Sequence, residues 1–298
     1  MQKGRTNVTS PDLIRPSAAQ PRQEAVDDET VVPLRHYGRT TLAVIVILLV
    51  LALGYGLATN QYIEWHIIGD YFLNGSILRG LWVTLQMTVL SMAIGLVLAT
   101  VLAVMRLSQS RVLSGISWAY VFFFRGIPMI VLLILIGNLG LFVKEIVIGI
   151  PFTDVVLLQL PIQKVMSPFV ASVLTLTLVA AAYMSEIVRG GLLAVNQGQR
   201  QAAKALGLNG WQTLQRVVLP QALRVIIPPL GNELVNTLKA TALVAVIAGG
   251  DLLTIAQSIS GVNYKVIEML IVASIWYLLV IALWSIVQYF IERKMAER

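Results

Sequence analysis

Residues 201–220 read QAAKALGLNGWQTLQRVVLP. The stretch is polar, carries Gly207 and Gly210 and ends at Pro220, yet it lies between two of the most apolar segments of the chain. From Asn196 to Ala205 the residues are good helix formers apart from Gly198, and Gly207 stands where the left-handed residue after a helix belongs. Asn209 and Gly210 form a turn, Trp211 opens a second short helix, and Pro220, which has no amide hydrogen, is expected to mark the break before the next apolar run. The spacing therefore predicts a helical hairpin that leaves Leu206, Leu208, Trp211 and Leu214 exposed. A knob of this kind docks into a groove on a partner. It also fits a connector that rests in lipid headgroups with Trp211 as its anchor. The residues alone leave both open.

The surroundings explain why such an interruption matters. Of 298 residues, 57% are hydrophobic and 12% charged, about half the charged share of a soluble domain. This is the composition of a multi-pass membrane protein. No cysteine is present, which excludes disulfides and thiolate metal sites. The net charge of +7 contains no basic run interleaved with aromatics. It points to loops facing anionic lipid rather than to nucleic acid.

Six segments are long and apolar enough to cross a bilayer, which takes about 20 residues: 40–58, 80–105, 114–142, 167–189, 224–248 and 266–290. Residues 1–39, with four prolines and the acidic run Asp27-Asp28-Glu29, read as a disordered tail. The apolar run near Thr40 lies too far in for a cleaved signal peptide, so it reads as a retained span. Residues 40–74 are thus an extra first helix with its outer loop, and 75–298 a transmembrane domain. Residues 145–163 hold Pro151, Asp154 and Pro161 and are expected to form an interfacial loop with helical fragments. With both termini inside, sixteen Lys and Arg fall in the tail, inner loops and C-terminus, against Arg79, Lys144, Lys164 and Lys265 outside. Positive loops stay inside, which puts the hairpin of residues 196–220 in the cytoplasm.

Ionisable groups within membrane helices are costly and point to function. On a helix, Asn232, Glu233, Asn236, Thr237 and Lys239 share one face, and Leu234, Val235, Leu238 and Ala242 the other. Together with Thr241 and with Glu186 of the fourth span, Asn232, Glu233, Asn236 and Lys239 make up a candidate substrate pathway. Glu233 suits an ammonium and Lys239 a carboxylate, as in a zwitterion. A buried network that neutralises its own charges fits equally well. Arg125 reads as a lipid anchor or as a brace for the turn at Gly126 and Pro128. Thr84, Thr88, Ser91 and Gly95 recur at helical spacing, a stripe expected to serve close helix packing.

The order Ala202-Ala203, three residues, Gly207, nine residues, Val217, one residue, Leu219-Pro220 resembles the EAA loop of ABC importer permeases, with Gln201 in place of Glu and Val217 in place of Ile. The segments 84–108, 122–133, 183–195 and 219–243 look like the polar amino acid uptake branch, which includes histidine, glutamine and arginine permeases. Ala240 stands where that branch often has Asp or Ser. The resemblance implies an all-α type I importer permease of about six spans in a bacterial cytoplasmic membrane, working by alternating access. It also implies partners: a dimer of ATPase subunits carrying ATP and Mg, a second permease subunit, identical or paralogous, and an extracytoplasmic amino-acid-binding protein. The chain itself has no phosphate-binding G-x-x-x-x-G-K-[ST] loop, so it is expected to bind no cofactor and to be no enzyme. Gln201, Ala202, Ala203, Gly207, Leu208, Trp211, Leu214 and Pro220 would couple it to the ATPase. A stand-alone ion-driven transporter and a non-transporting scaffold are the alternatives.

Overall fold

The computed structural model describes residues 37–149 and 156–296. The expected tail lies outside the described residues up to position 36. Its last three positions already belong to α1 (Tyr37–Ala58). This helix forms a unit of its own within residues 1–60, and its described side chains are exposed along its length. Twenty-two residues make a rod of about 33 Å, enough to cross a bilayer.

The second unit, residues 61–298, begins with the short α2 (Trp65–Phe72) and the long α3 (Gly75–Arg106). The Asn74 side chain caps α3 by accepting from the Ser76 amide at 2.8 Å. Next comes α4 (Arg111–Gly126), which stops at Gly126, and the chain turns through 98° into α5 (Met129–Gly137). Pro128 enforces this break, because proline holds the residue before it away from helical angles.

Residues Glu145–Gly149 (β1) and Val156–Pro161 (β2) then pair as an antiparallel hairpin, Ile146 opposite Leu160 and Ile148 opposite Leu158. Helical fragments were expected here, and a single turn, α6 (Ile162–Val165), is their one trace among the described residues. The β-branched and apolar residues of each segment favour strand pairing over helix.

The fourth crossing is α7 (Pro168–Ala194), which begins with Ser167 capping the Val170 amide at 3.3 Å and Pro168 in its first turn. Helices α8 (Gln197–Ala205) and α9 (Gly210–Thr213) form the hairpin. A π-turn over Leu214–Val218 runs straight into α10 (Leu219–Ala240). Pro220 therefore does not end a helix. The wide turn pairs the Leu219 amide with the Leu214 carbonyl, and Pro220 sits in the first turn of α10, where a missing amide costs nothing. A 3₁₀ stretch, Thr241–Ile247, leads through a 43° bend to α11 (Leu252–Asn263), and α12 (Val266–Ala296) closes the fold.

Four helices are long and apolar enough to cross a membrane, and six crossings result if each bent pair counts as one. The expected six segments thus coincide with helical crossings, two of them broken. Packing centres on α3 against α7. Thr84, Thr88, Ser91 and Gly95 are all buried, Ser91 donates to the Val173 carbonyl at 3.2 Å, and a methyl added at Gly95 would lie 2.8 Å from Met184 Cε. The small-residue stripe serves packing, as expected.

Candidate functional site

Two features stand apart from the apolar scaffold. The first is the hairpin. The C-terminus of α8 is closed by paired bonds, Gly207 N–H to Lys204 O at 3.0 Å and Leu208 N–H to Ala203 O at 3.1 Å. Gly207 has φ +79°, a conformation open to glycine without strain. Asn209 caps α9 through a reciprocal box, accepting from the Gln212 amide at 2.9 Å while Gln212 Oε1 accepts from the Asn209 amide at 3.0 Å. Arg200 reaches back to the Leu192 carbonyl at 2.6 Å and ties the hairpin to the end of α7. Ala203 is buried within the hairpin. Leu206, Trp211 and Leu214 are exposed, Trp211 at 69%, and Gln201, Ala202 and Pro220 are exposed too. Leu208 is half-buried and, with Arg200, Lys204 and Leu214, lines a groove of about 450 Å³.

The second feature is a cavity of about 320 Å³ among α5, α7 and α10. Glu233, Asn236, Thr237 and Ala240 of α10 line one side, because spacings of three and four residues bring side chains to one helical face. Val179, Ala180 and Tyr183 of α7 face them, and Met129 of α5 closes the rim. The Asn236 amide donates to Glu233 Oε2 at 3.4 Å, and the Thr237 hydroxyl lies 3.5 Å from Met92 Sδ. A carboxyl, an amide and a hydroxyl thus meet in a largely apolar recess that is open on one side. That set can bind a cation through charge and fix its orientation by hydrogen bonds.

The other expected pathway residues are placed differently. Asn232 and Lys239 are exposed and do not line the cavity. Thr241 is buried, donates to the Leu238 carbonyl at 2.7 Å and lies 3.3 Å from the Tyr277 hydroxyl. Its contacts hold the end of α10. Glu186 is paired with Arg189 at 2.6 Å and lines a second cavity of about 450 Å³ with Arg106, Trp118, Phe122, Arg125 and Tyr183. The Arg125 guanidinium lies over the Tyr183 ring, 4.8 Å from its centroid. Helical periodicity puts Thr237 on the polar face of α10, and the position of Tyr183 just before Glu186 offers it either to the inner end of the pathway or to the hairpin; both line the cavity. The Gly126-Ile127-Pro128 break was the signal that Arg125 and Met129 turn to different neighbours.

A multi-pass helical unit with a recess carrying a few polar groups and a capped polar hairpin between two spans has the build of a subunit of a membrane transporter. A family model described as the inner membrane component of binding-protein-dependent transport systems matches residues 91–297, and this chain belongs to that family. It is 38% identical over 263 residues to the arginine transport system permease protein ArgU of Corynebacterium glutamicum, covering 88% of this chain and 81% of that one. The L-cystine transport system permease protein TcyB of Bacillus subtilis is 34% identical over 243 residues, with 80% and 94% covered. A crystal structure of an amino acid ABC transporter with histidines matches with a TM-score of 0.63 and 31% identity, over 74% of this chain and 94% of that one. The resemblance read from the EAA-like loop is borne out, and so is the type I importer permease fold. The chain is a multi-pass permease subunit.

Proposed function

We propose that the chain carries polar amino acids through a membrane, L-arginine foremost, and that ATP hydrolysed with Mg on a separate pair of subunits drives the movement. The observation that carries this reading is the set of Glu233, Asn236 and Thr237 along a recess between membrane helices α5, α7 and α10. Its volume sits near the lower end of ligand pockets, roughly 300 Å³. Glu233 receives the substrate's cationic group and Asn236 turns its amide toward the carboxylate. Relatives named for arginine and L-cystine transport support this substrate class. They also favour an ATP-driven permease over a stand-alone ion-coupled carrier.

The hairpin faces the cytosol, where its exposed Leu206, Trp211 and Leu214 enter a groove of the ATPase subunit. Both chain termini lie on that side of the bacterial inner membrane. A second permease subunit covers the exposed polar face of α10. Asn232, Asn236 and Lys239 all stand open in the single chain, and lipid contact would cost about 3 kcal/mol for a charge such as Lys239 at the centre of a span. A binding protein on the outer face delivers the substrate.

Reconstitution of the complex that co-purifies with this chain tests the proposal. Proteoliposomes are expected to take up labelled L-arginine with ATP and binding protein present, and Glu233→Gln is expected to abolish most of that uptake. Uptake by the purified chain alone, driven by a proton or sodium gradient, would overturn it.

A further inference from the structure

Tyr183 lines both cavities described above. One is the chamber of Glu233, Asn236 and Thr237. The other is the wider space of Arg106, Arg125 and Glu186, nearer the end of α7 that leads into the hairpin. We infer that Tyr183, held by Arg125, is the inner shutter of the substrate cavity, the one side chain that must swing for the bound amino acid to leave toward the hairpin side. This inference rests on the transport reading above and concerns how that site opens.

Three observations carry it. Tyr183 is 39% exposed, so its ring is not locked in the α3–α7 seam, whereas its neighbours Ala182 and Met184 are fully buried there. The Arg125 guanidinium lies over its ring, 4.8 Å from the centroid. A cation over an aromatic face is worth enough to bias a rotamer and too little to freeze it. Arg125 is also not drawn off the ring by the acidic residue nearest it in the second cavity. Glu186, the acidic residue of the second cavity, is already bound by two nitrogens of Arg189 at 2.9 and 2.6 Å. Among the described residues no ion pair engages Arg125.

The position of Arg125 adds a means of control. It lies at the last turn of α4, one residue before Gly126 and the 98° break, and Met129 beyond the break lines the substrate cavity. A change of angle at the break moves Arg125 off the ring and shifts the Met129 rim in the same step. The shutter and the chamber wall therefore respond to one hinge.

The absence of cysteine from the chain gives a direct test. Ala240→Cys places a single thiol in the wall of the substrate cavity. Its rate of reaction with a membrane-impermeant maleimide, added from the hairpin side to the nucleotide-free complex, reports whether the shutter is closed. Tyr183→Ala is expected to speed labelling roughly tenfold, the scale of a contact that biases one rotamer. Arg125→Met should act in the same direction without touching α7. Tyr183→Phe and Arg125→Lys retain ring and cation, so they should label at the parental rate. Equal labelling in the Tyr183→Ala, Arg125→Met and parental proteins would overturn the inference, and so would acceleration by Tyr183→Phe as large as that by Tyr183→Ala. The readout needs no transported substrate. Failure to carry L-arginine would therefore sink the transport reading while leaving the labelling result intact, and the reverse holds for a complex that transports but shows no labelling difference.

Discussion

The α3–α7 seam and the inner face of α10 are both built from small and polar residues, yet they do opposite things. Along the seam, hydroxyls such as Thr88 and Thr175 turn back onto the Thr84 and Ala171 carbonyls at 2.8 and 2.7 Å, and buried Thr177 is the exception. Glycine and alanine let the two helices meet directly. On α10, Asn232, Asn236 and Lys239 stand open and pairing is loose, Asn236 to Glu233 at 3.4 Å. The prolines Pro228 and Pro229 remove two amide donors from its ladder and so free the Arg224 and Val225 carbonyls, while Gln288 and Trp284 of α12 donate to the Pro228 and Gly231 carbonyls at 3.3 and 3.0 Å. Closed polar groups make a scaffold. Open ones, on a helix with a broken hydrogen-bond ladder, make a working surface.

That contrast can be broken most sharply at the seam. Gly95→Leu would drive a side chain into Met184 and toward the Thr177 carbonyl, which a first carbon already approaches at 3.4 Å. Overpacking of this kind is expected to cost about 3 kcal/mol. Detergent-solubilised protein should lose its monodisperse peak in size-exclusion chromatography, and an unaltered peak would refute the description of a tight seam. Changes on the open surfaces should instead leave the fold intact and remove function. Trp211→Ala with Leu208→Ala takes the apolar tip off the hairpin and is expected to weaken retention of the ATPase subunit roughly a hundredfold. Pull-down with the tagged chain measures it, with helical content by circular dichroism unchanged.

Glu233→Gln keeps shape and removes charge. The loss of one charge-assisted bond should lower L-arginine uptake roughly tenfold to thirtyfold, with the complex still assembled. A change of similar size in stability would place Glu233 in the scaffold instead. The smallest effect lies at the far end of the molecule, where Lys265 and Glu64 join the α11–α12 turn to the segment before α2. The hydrogen bond to Glu64 holds the Lys265 ammonium above the ordinary lysine value of 10.5. A value raised in the folded chain means that the pair's contribution is whole below that pH and fades as pH rises through the raised value. The small difference in melting temperature between Glu64→Gln and the parent should therefore stay constant from about pH 7 to pH 9 and close only above about pH 10.5.

The hairpin was the most legible part of the molecule. Gly207 and Asn209 specify a helix end and a turn through bonds that span only a few residues, so neighbours in sequence suffice to read them. The seam was legible for a similar reason, since a stripe of small residues at helical spacing has few other uses. The β1–β2 pair was misread because its prolines drew attention away from the runs Glu145–Gly149 and Val156–Pro161. Lys239 shares the polar face of α10 with Glu233 by angle alone. Whether it meets the cavity depends on which helices pack beside α10, and that information is absent from any one segment.

Sequence by itself determined the number of crossings, the capped hairpin and the family, because apolar length, local hydrogen bonding and motif order are properties of contiguous residues. Tertiary structure alone decided that Thr241 secures a helix end, that Tyr183 and Thr237 become cavity walls, and that Arg125 comes to rest over Tyr183. Those outcomes arise where α4, α7 and α10 approach one another after a 98° bend, and a distance between helices far apart in the chain exists only once all of them have packed.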